Sequence, residues 1–363
     1  MTLQKIVLNI VLKFFSLFLP LFGIKKNRIT FISLTADTLK DDFLLINKEL
    51  EKFDDLDIKY NLLKFKKNIT GDFFYFLNCI KQLFIINTSH VVILNDNNYV
   101  VSNFKRKGVI VVQIWHACGA VKKFGNDINR EYEIKNYDYV LSTSDIWKAI
   151  YARSFQVNED RVLPLGMART DVLFDNIWIE KSRQKMLKKY PILKNKYIYL
   201  YAPTFRGNII KGFSYEQVDL NQLITNLPLN VIVLYRMHPL LEGVSLGENE
   251  RVINMANENL NDLLACSDCL ISDYSSILFD YSILKKRLIC YVPDLENYKE
   301  TLGLNINFNS IPGEKCFTLQ ELIQAMNHFD YDEKEIENFK NLYFKEQDGK
   351  SAERIAYWLH SLI

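Results

Sequence analysis

Glycine and proline are scarce in this chain, at 13 and 8 of 363 residues, which excludes collagen-like and linker-rich architectures. Cysteine is scarce too. Six in a chain of this length make no disulfide framework and fit a reducing compartment. Neither sign of charge dominates: 45 Lys and Arg stand against 43 Asp and Glu, so no global excess marks a nucleic-acid-binding protein. A P-loop lysine motif, G-x-G-x-x-G and H-E-x-x-H are all missing, as are repeats and low-complexity segments. What is there is 48% hydrophobic and rich in Phe (24) and Tyr (20). A chain this long outgrows one simple core and is sized for two domains.

One long apolar run exists, over residues 6–24, broken by Asn9, Lys13, Ser16 and Pro20, with Lys5 just before it. Those polar residues recur every three or four positions, so on a helix they form one narrow stripe. A membrane span has no use for the stripe, and a central Lys costs about 2.5–3.5 kcal/mol at the bilayer midplane. A secretory signal would carry small residues at its cleavage site, and Leu21-Phe22-Gly23-Ile24-Lys25 offers none of that type. The reading that fits is an amphipathic helix in the membrane interface, with Lys25, Lys26 and Arg28 toward anionic headgroups. A true span or signal, and a helix packed on the protein's own core or between copies, are the alternatives.

Beyond the run, β-rich segments alternate with helical patterns. Strands are expected at 28–33, 57–63, 91–95, 108–115, 137–143 and 161–165, with helices near 42–52 and 71–85. A second cycle follows a helix at 179–190: strands at 197–201, 230–235, 251–253, 269–272 and 288–291, and helices at 260–265 and 276–285. The tail 333–362 reads as helical. Strand, crossover, strand implies parallel sheets in α/β domains. The expected division is 1–28 as the membrane-associated segment, 29–175 and 176–335 as two α/β domains, and 336–363 as a helical tail. Two such halves leave a cleft, and parallel sheets bind ligands at the carboxyl ends of their strands.

Four strand ends carry polar groups. Residues 108–115 run into Trp115-His116-Ala117-Cys118-Gly119-Ala120, where His116 has the right intrinsic pKa for a general base, or is a structural histidine. The strand at 197–201 ends in Ala202-Pro203-Thr204-Phe205-Arg206, whose arginine fork suits a phosphate, unless it is a surface arginine. The strand at 231–235 ends in Arg236-Met237-His238-Pro239; spaced two apart, Arg236 and His238 point the same way on extended chain, and Pro239 would fix the turn. The fourth end, Ser272-Asp273-Tyr274-Ser275-Ser276, leads into a helix, an arrangement that binds phosphate or simply caps. Two other motifs carry little. Gly243-Val244-Ser245-Leu246-Gly247 lacks the strand and helix a nucleophile elbow needs, and Cys266-Ser267-Asp268-Cys269 lacks a second ligand pair for zinc.

These four motifs, with Lys122-Lys123-Phe124-Gly125, resemble in type and order the CDP-glycerol glycerophosphotransferase family of wall teichoic acid and capsule synthesis, well over residues 90–300 and loosely before. The resemblance implies a GT-B-like fold, with two Rossmann-like parallel-sheet domains facing a cleft. It also implies peripheral, monotopic association with the cytoplasmic face of the cell membrane, and transfer of glycerol phosphate from CDP-glycerol with release of CMP. By the same resemblance His116 is the base on the acceptor hydroxyl. Arg236, His238, Ser275, Ser276 and Arg206 bind the donor diphosphate, with Asp273 and Asp280 in support, Asp280 toward the ribose. No cofactor is implied and no cluster of metal-binding carboxylates is apparent. The partners expected are CDP-glycerol, an undecaprenyl-diphosphate-linked disaccharide and the membrane surface, without nucleic acid; a homo-oligomer stays open. Where the long polymerases of the family have Gly-Thr-Pro after the Trp-His pair, this chain has Ala117-Cys118-Gly119-Ala120, which favours the short priming enzyme. CDP-ribitol, polymerisation, a nucleotide-sugar glycosyltransferase and a non-catalytic scaffold remain as alternatives.

Overall fold

The computed structural model describes residues 3–208, 212–238, 241, 243–247 and 249–363. Contacts divide it into two compact units, one of Met1–Ala117, Phe124–Asp171 and Lys345–Ile363, the other of Cys118–Lys123 and Val172–Phe344.

The first unit runs α1 (Leu3–Ser16), β1 (Lys25–Ser33), α2 (Asp41–Leu50), β2 (Asp57–Leu62), α3 (Ile69–Thr88), β3 (Ser89–Leu94), α4 (Tyr99–Phe104), β4 (Ile110–Gln113), β5 (Tyr139–Leu141), α5 (Lys148–Phe155) and β6 (Val162–Leu163). Its six strands are parallel in the order β2-β1-β3-β4-β5-β6. The run Val91-Val92-Ile93-Leu94 in β3 is buried throughout, as a parallel strand covered on both faces must be.

The second unit runs α6 (Asn176–Lys189), β7 (Tyr197–Tyr201), β8 (Arg206–Asn208), β9 (Gly212–Ser214), α7 (Leu220–Thr225), β10 (Val231–Tyr235), β11 (Val252–Asn254), α8 (Leu260–Cys266), β12 (Cys269–Ser272), α9 (Ile277–Ser282), β13 (Arg287–Tyr291), α10 (Leu295–Thr301), β14 (Glu314–Cys316), α11 (Leu319–Met326) and α12 (Glu333–Tyr343). β8 and β9 form a small antiparallel pair. The other six strands are parallel in the order β11-β10-β7-β12-β13-β14. In chain order that is 3-2-1-4-5-6, the doubly wound Rossmann arrangement, which reverses direction between β7 and β12.

The expected α/β architecture of two Rossmann-like parallel sheets is therefore the observed one. Strands at 197–201 and 269–272 match residue for residue. The strand expected at 108–115 shrinks to Ile110–Gln113, because Gly108 and Trp115, at φ +87° and +54°, turn the chain at either side. The tail is two helices rather than one: α12 packs in the second unit, while α13 (Ser351–His360) joins the first, with a break near Gly349 at φ +66°. Ile355, Ala356 and Leu359 of α13 are buried with Ile29, Phe31 and Ile46.

Two residues of the polar stripe of α1, Lys5 and Asn9, face the protein, while Lys13 is exposed. Lys5 pairs with Glu131, the Tyr99 hydroxyl donates to Asn9 Oδ1 at 2.7 Å, and Leu8 and Leu12 lie buried between them. The rest of the run is outward and apolar: Ile10, Phe14, Leu17 and Leu21 are exposed, Leu17 at 73%. α3 repeats the pattern. Its Gln82 is linked to Asn61 and Asn98 inside the unit, and its Phe84 meets Phe15 and Phe22. Ile69, Phe73, Phe74 and Leu77 are exposed. Arg28 does not join Lys25 and Lys26 as a free surface cation; it is bound to Asp57, at 2.8 Å from Nε and 2.7 Å from Nη2.

α13 is attached through Asp171, whose carboxylate accepts from the Ser351 and Ala352 amides at 2.9 and 2.8 Å. These are first-turn amides with no partner inside the helix. Asp171→Ala should cost about 2 kcal/mol of local stability. Hydrogen exchange checks this: amides of α13 should exchange faster while those of β3 are unchanged.

Candidate functional site

In the first unit the chemistry starts from Gln113, the polar last residue of β4 and fully buried. Its Oε1 accepts the Trp115 amide at 2.9 Å and its Nε2 donates to the Asp96 carbonyl at 3.0 Å. One side chain thus ties the loop after β3 to the loop after β4. The bulky Trp115 is held in the left-handed region, a strain of about 1–3 kcal/mol. Its ring stacks on Phe124 and meets Phe155 edge-on, with centroids 5.0 and 5.1 Å apart. The turn leaves His116 exposed, with Nδ1 3.1 Å from the Asn95 carbonyl oxygen. A carbonyl only accepts, so Nδ1 carries the hydrogen and the neutral ring keeps its lone pair on Nε2, as a general base requires.

In the second unit three of the expected motifs meet where the sheet reverses direction. The loops after β7 and β12 are joined by Thr204 N donating to Asp273 Oδ1 at 2.8 Å and by Ser272 Oγ donating to the Ala202 carbonyl at 2.7 Å. Arg206 closes the junction. Its Nη1 reaches Asp273 Oδ2 at 2.8 Å; Nε and Nη2 take both oxygens of Asp294 at 2.7 and 3.0 Å. The guanidinium lies 4.9 and 5.0 Å from the ring centroids of Tyr274 and Tyr298, and the Tyr274 hydroxyl donates to Asp294 at 2.9 Å. Burial alone would lower the Arg206 pKa, but the two carboxylates raise it on balance. Burial pushes the Asp273 carboxyl up against the pull of Arg206. Asp294, less buried, is held below the usual carboxylate range by Arg206, against the opposing effect of burial. Arg206 thus braces the site, and neither a surface residue nor an unengaged fork describes it.

Ser275 and Ser276 follow, both half-buried. The Ser275 hydroxyl lies 3.4 Å from the Ile277 amide, and Ser276, at the helix start, makes no side-chain cap. α9 has six residues, so any anion there would be met by hydroxyls and amides more than by a helix dipole. Asp273 and Asp280 are each 2% exposed; Asp273 is bonded to Thr204 and Arg206, and Asp280 is buried within α9. Arg236 and His238 engage opposite neighbours of their strand. Arg236 donates to the Glu258 carbonyl beyond β11, and the His238 ring meets Phe205 beyond β7 at 4.8 Å. Pro239, expected to aim them, lies outside the described residues, as do Glu242 and Glu248 around the G-x-S-x-G match. Ser245 of that match sits in a loop, 3.3 Å from the Tyr235 hydroxyl. Cys266 and Cys269 are fully buried, and burial pushes the Cys266 thiol up to about 11. Among the described residues, no three His, Cys, Asp or Glu side chains gather as metal ligands.

Other residues belong to these clusters. Asp294 stands three residues past β13, within reach of the strand-end rule. Gln113 shows as the polar residue in an apolar strand, and Lys122 lies in a quoted motif without an assigned role.

Residues 12–361 match the family described as CDP-Glycerol:Poly(glycerophosphate) glycerophosphotransferase. The teichoic acid ribitol-phosphate primase of Bacillus spizizenii is 33% identical across 99% of this chain and 98% of its own length. The teichoic acid glycerol-phosphate primase of Bacillus subtilis is 30% identical across 79% of this chain and 77% of its own. Among solved structures, the wall teichoic acid polymerase TagF superposes with a TM-score of 0.75 at 23% identity, over 99% of this chain and 96% of that one.

Removing Arg206 strands two carboxylates. Arg206→Met should destabilise the second unit by about 3–5 kcal/mol, and Asp273→Asn in the same chain should restore part of that loss. Urea unfolding of the three proteins measures both effects.

Proposed function

We propose a function from one premise: the chain belongs to the CDP-glycerol:poly(glycerophosphate) glycerophosphotransferase family. The enzyme transfers a polyol phosphate from a CDP-polyol to a hydroxyl of a lipid-linked saccharide and releases CMP, as the priming step of teichoic acid assembly. The observation that carries this reading is the convergence of Thr204, Arg206, Asp273, Ser275 and Ser276 at the reversal point of a Rossmann-type sheet, where such sheets bind nucleotides. The near end-to-end match with a ribitol-phosphate primase supports priming, and it supports ribitol ahead of glycerol as the polyol of the donor. Glycerol, the donor expected from the motifs, comes second.

The acceptor oxygen attacks the β-phosphorus, the one bearing the polyol. A new P–O bond forms, the bond to CMP breaks, and the hydroxyl proton passes to Nε2 of His116. Such a transfer depends mostly on positioning and charge. Ser275, Ser276, His238 and Arg236 serve the diphosphate, while Arg206 and Asp273 hold their loops in place. The acceptor's lipid gives the apolar surface of α1 and α3 a purpose. By length and composition the stretch Gln4–Leu21 and α3 could each cross a membrane. The contacts of Lys5 and Asn9 in α1, and of Gln82 in α3, with the rest of the first unit support helices that lie in the interface instead, with the exposed Lys64 and Lys66 just before α3. The reading is peripheral association.

Mass spectrometry of products from CDP-ribitol, CDP-glycerol and UDP-sugars with a lipid-linked disaccharide tests the reaction. CMP with a polyol-phosphate disaccharide is expected; turnover of UDP-sugars alone would refute it. His116→Ala should abolish turnover yet bind donor normally. Gln113→Leu, which releases the Trp115 turn, should lower kcat about 100-fold with donor affinity intact; an unchanged kcat removes Gln113 from the account. Phe14→Glu with Phe73→Glu should reduce cosedimentation with anionic vesicles while activity on a short soluble acceptor persists.

A further inference from the structure

The donor cluster contains a cation that the assigned residues leave out. Lys122 belongs to the short segment Cys118–Lys123, which packs with the second unit. Its backbone is pinned on both sides: Lys123 N donates to Gly303 O at 3.1 Å, Asn305 N to Val121 O at 2.8 Å, and Asn305 Nδ2 to Lys122 O at 2.9 Å. The side chain ends beside the loop after β7, with Nζ 3.4 Å from Thr204 Oγ1 and 4.0 Å from the centroid of the Phe205 ring. Phe205 also meets the His238 ring, with centroids 4.8 Å apart. Lys122, Thr204, Phe205 and His238 therefore form one cluster beside the junction that Arg206 braces.

An ammonium has three hydrogens to donate, and here one long contact to a hydroxyl accounts for a single one. The charged groups facing it are Asp273, which attracts it, and Arg206, which repels it. Asp273 already receives Arg206 Nη1 and Thr204 N. Among the described residues no carboxylate lies within ion-pair distance of Lys122. Burial accordingly lowers its pKa to about 8, with Asp273 offsetting only part of the effect. Lys122 is half-buried, and an ammonium partly withdrawn from water without an anion beside it is unfavourable. That unfavourable term is relieved when an anion arrives, and a charge-assisted bond to phosphate is among the stronger hydrogen bonds.

We propose that Lys122 is the phosphate-binding cation of the donor site, its ammonium taking an oxygen of the CDP-polyol diphosphate and staying with the CMP phosphate as it leaves. The inference rests on the CDP-polyol reading above for the identity of the ligand, and on the geometry alone for the anion. The pH dependence has a definite sign. Below about pH 8 the amine is charged and attracts the diphosphate; above it, the amine is neutral and the attraction is lost. Donor affinity should therefore fall as pH rises through that value.

Isothermal titration of the full chain with CDP-ribitol, CDP-glycerol and inorganic pyrophosphate tests the proposal. Lys122→Gln should weaken binding of the nucleotides and of pyrophosphate about 10- to 100-fold, and Lys122→Arg should recover most of it. Wild-type affinity for the CDP-polyols, whose diesterified diphosphate does not titrate in this range, should drop between about pH 7 and about pH 9.5, with a flat profile in Lys122→Gln over the same range. The pH arm needs only the wild type, so it stands even if a variant folds poorly. Equal affinity in Lys122→Gln, a wild-type profile without the drop, or no binding of any of the three ligands overturns the role of Lys122. Lys122-dependent binding of pyrophosphate without binding of either CDP-polyol upholds the cation and refutes the donor assignment.

Discussion

The bond on which the second unit depends is Arg206 gripping Asp273 and Asp294 at once. Those three residues come from the loops after β7, β12 and β13, so a single guanidinium fixes the ends of three strands at the place where the sheet reverses. A buried ion network is not in itself a source of stability, since desolvation offsets much of its attraction. What it supplies is geometry: each loop has one arrangement that satisfies both carboxylates. Phosphoryl transfer rewards that rigidity, because most of its catalysis is placement of charge. Ser275 and Ser276 begin two residues after Asp273, and Phe205, which contacts both Lys122 and His238, directly precedes Arg206.

The first unit solves a similar problem with a neutral clamp. Gln113 fills both of its hydrogen-bonding ends with backbone from neighbouring loops, and the turn at Trp115 presents His116 in one tautomer. Strain at Trp115 is sustained by aromatic packing against Phe124 and Phe155. On the flank of the same unit, α1 and α3 hold Asn9 and Gln82 against the protein and expose Ile10, Phe14, Phe73 and Phe74, the reverse of what a helix facing water does.

Much of this was legible in the sequence. Alternating strands and helices implied parallel sheets, and the strand-end rule led to His116, Arg206 and Asp273 at the sites where they stand. The polar stripe of α1 was also legible, but its direction was not, because periodicity identifies a face without saying what the face meets. Arg236 and His238 each contact a different neighbour of their strand, the Glu258 carbonyl and the Phe205 ring, which no local spacing reveals. Tyr298 is brought to the cluster by tertiary contact alone, and β14 and the β8–β9 pair are three residues per strand, too short for any period to show.

The central claim is that the bond broken in the donor lies between its two phosphates, so that the β-phosphorus leaves with the polyol. CDP-ribitol radiolabelled at the β-phosphorus, incubated with the enzyme and a lipid-linked disaccharide, tests this most directly. Label carried wholly into the lipid-extractable product, with unlabelled CMP left in the aqueous phase, is the result the account predicts. Label retained in an aqueous nucleoside diphosphate would mean cleavage on the polyol side of the β-phosphorus, and would contradict it.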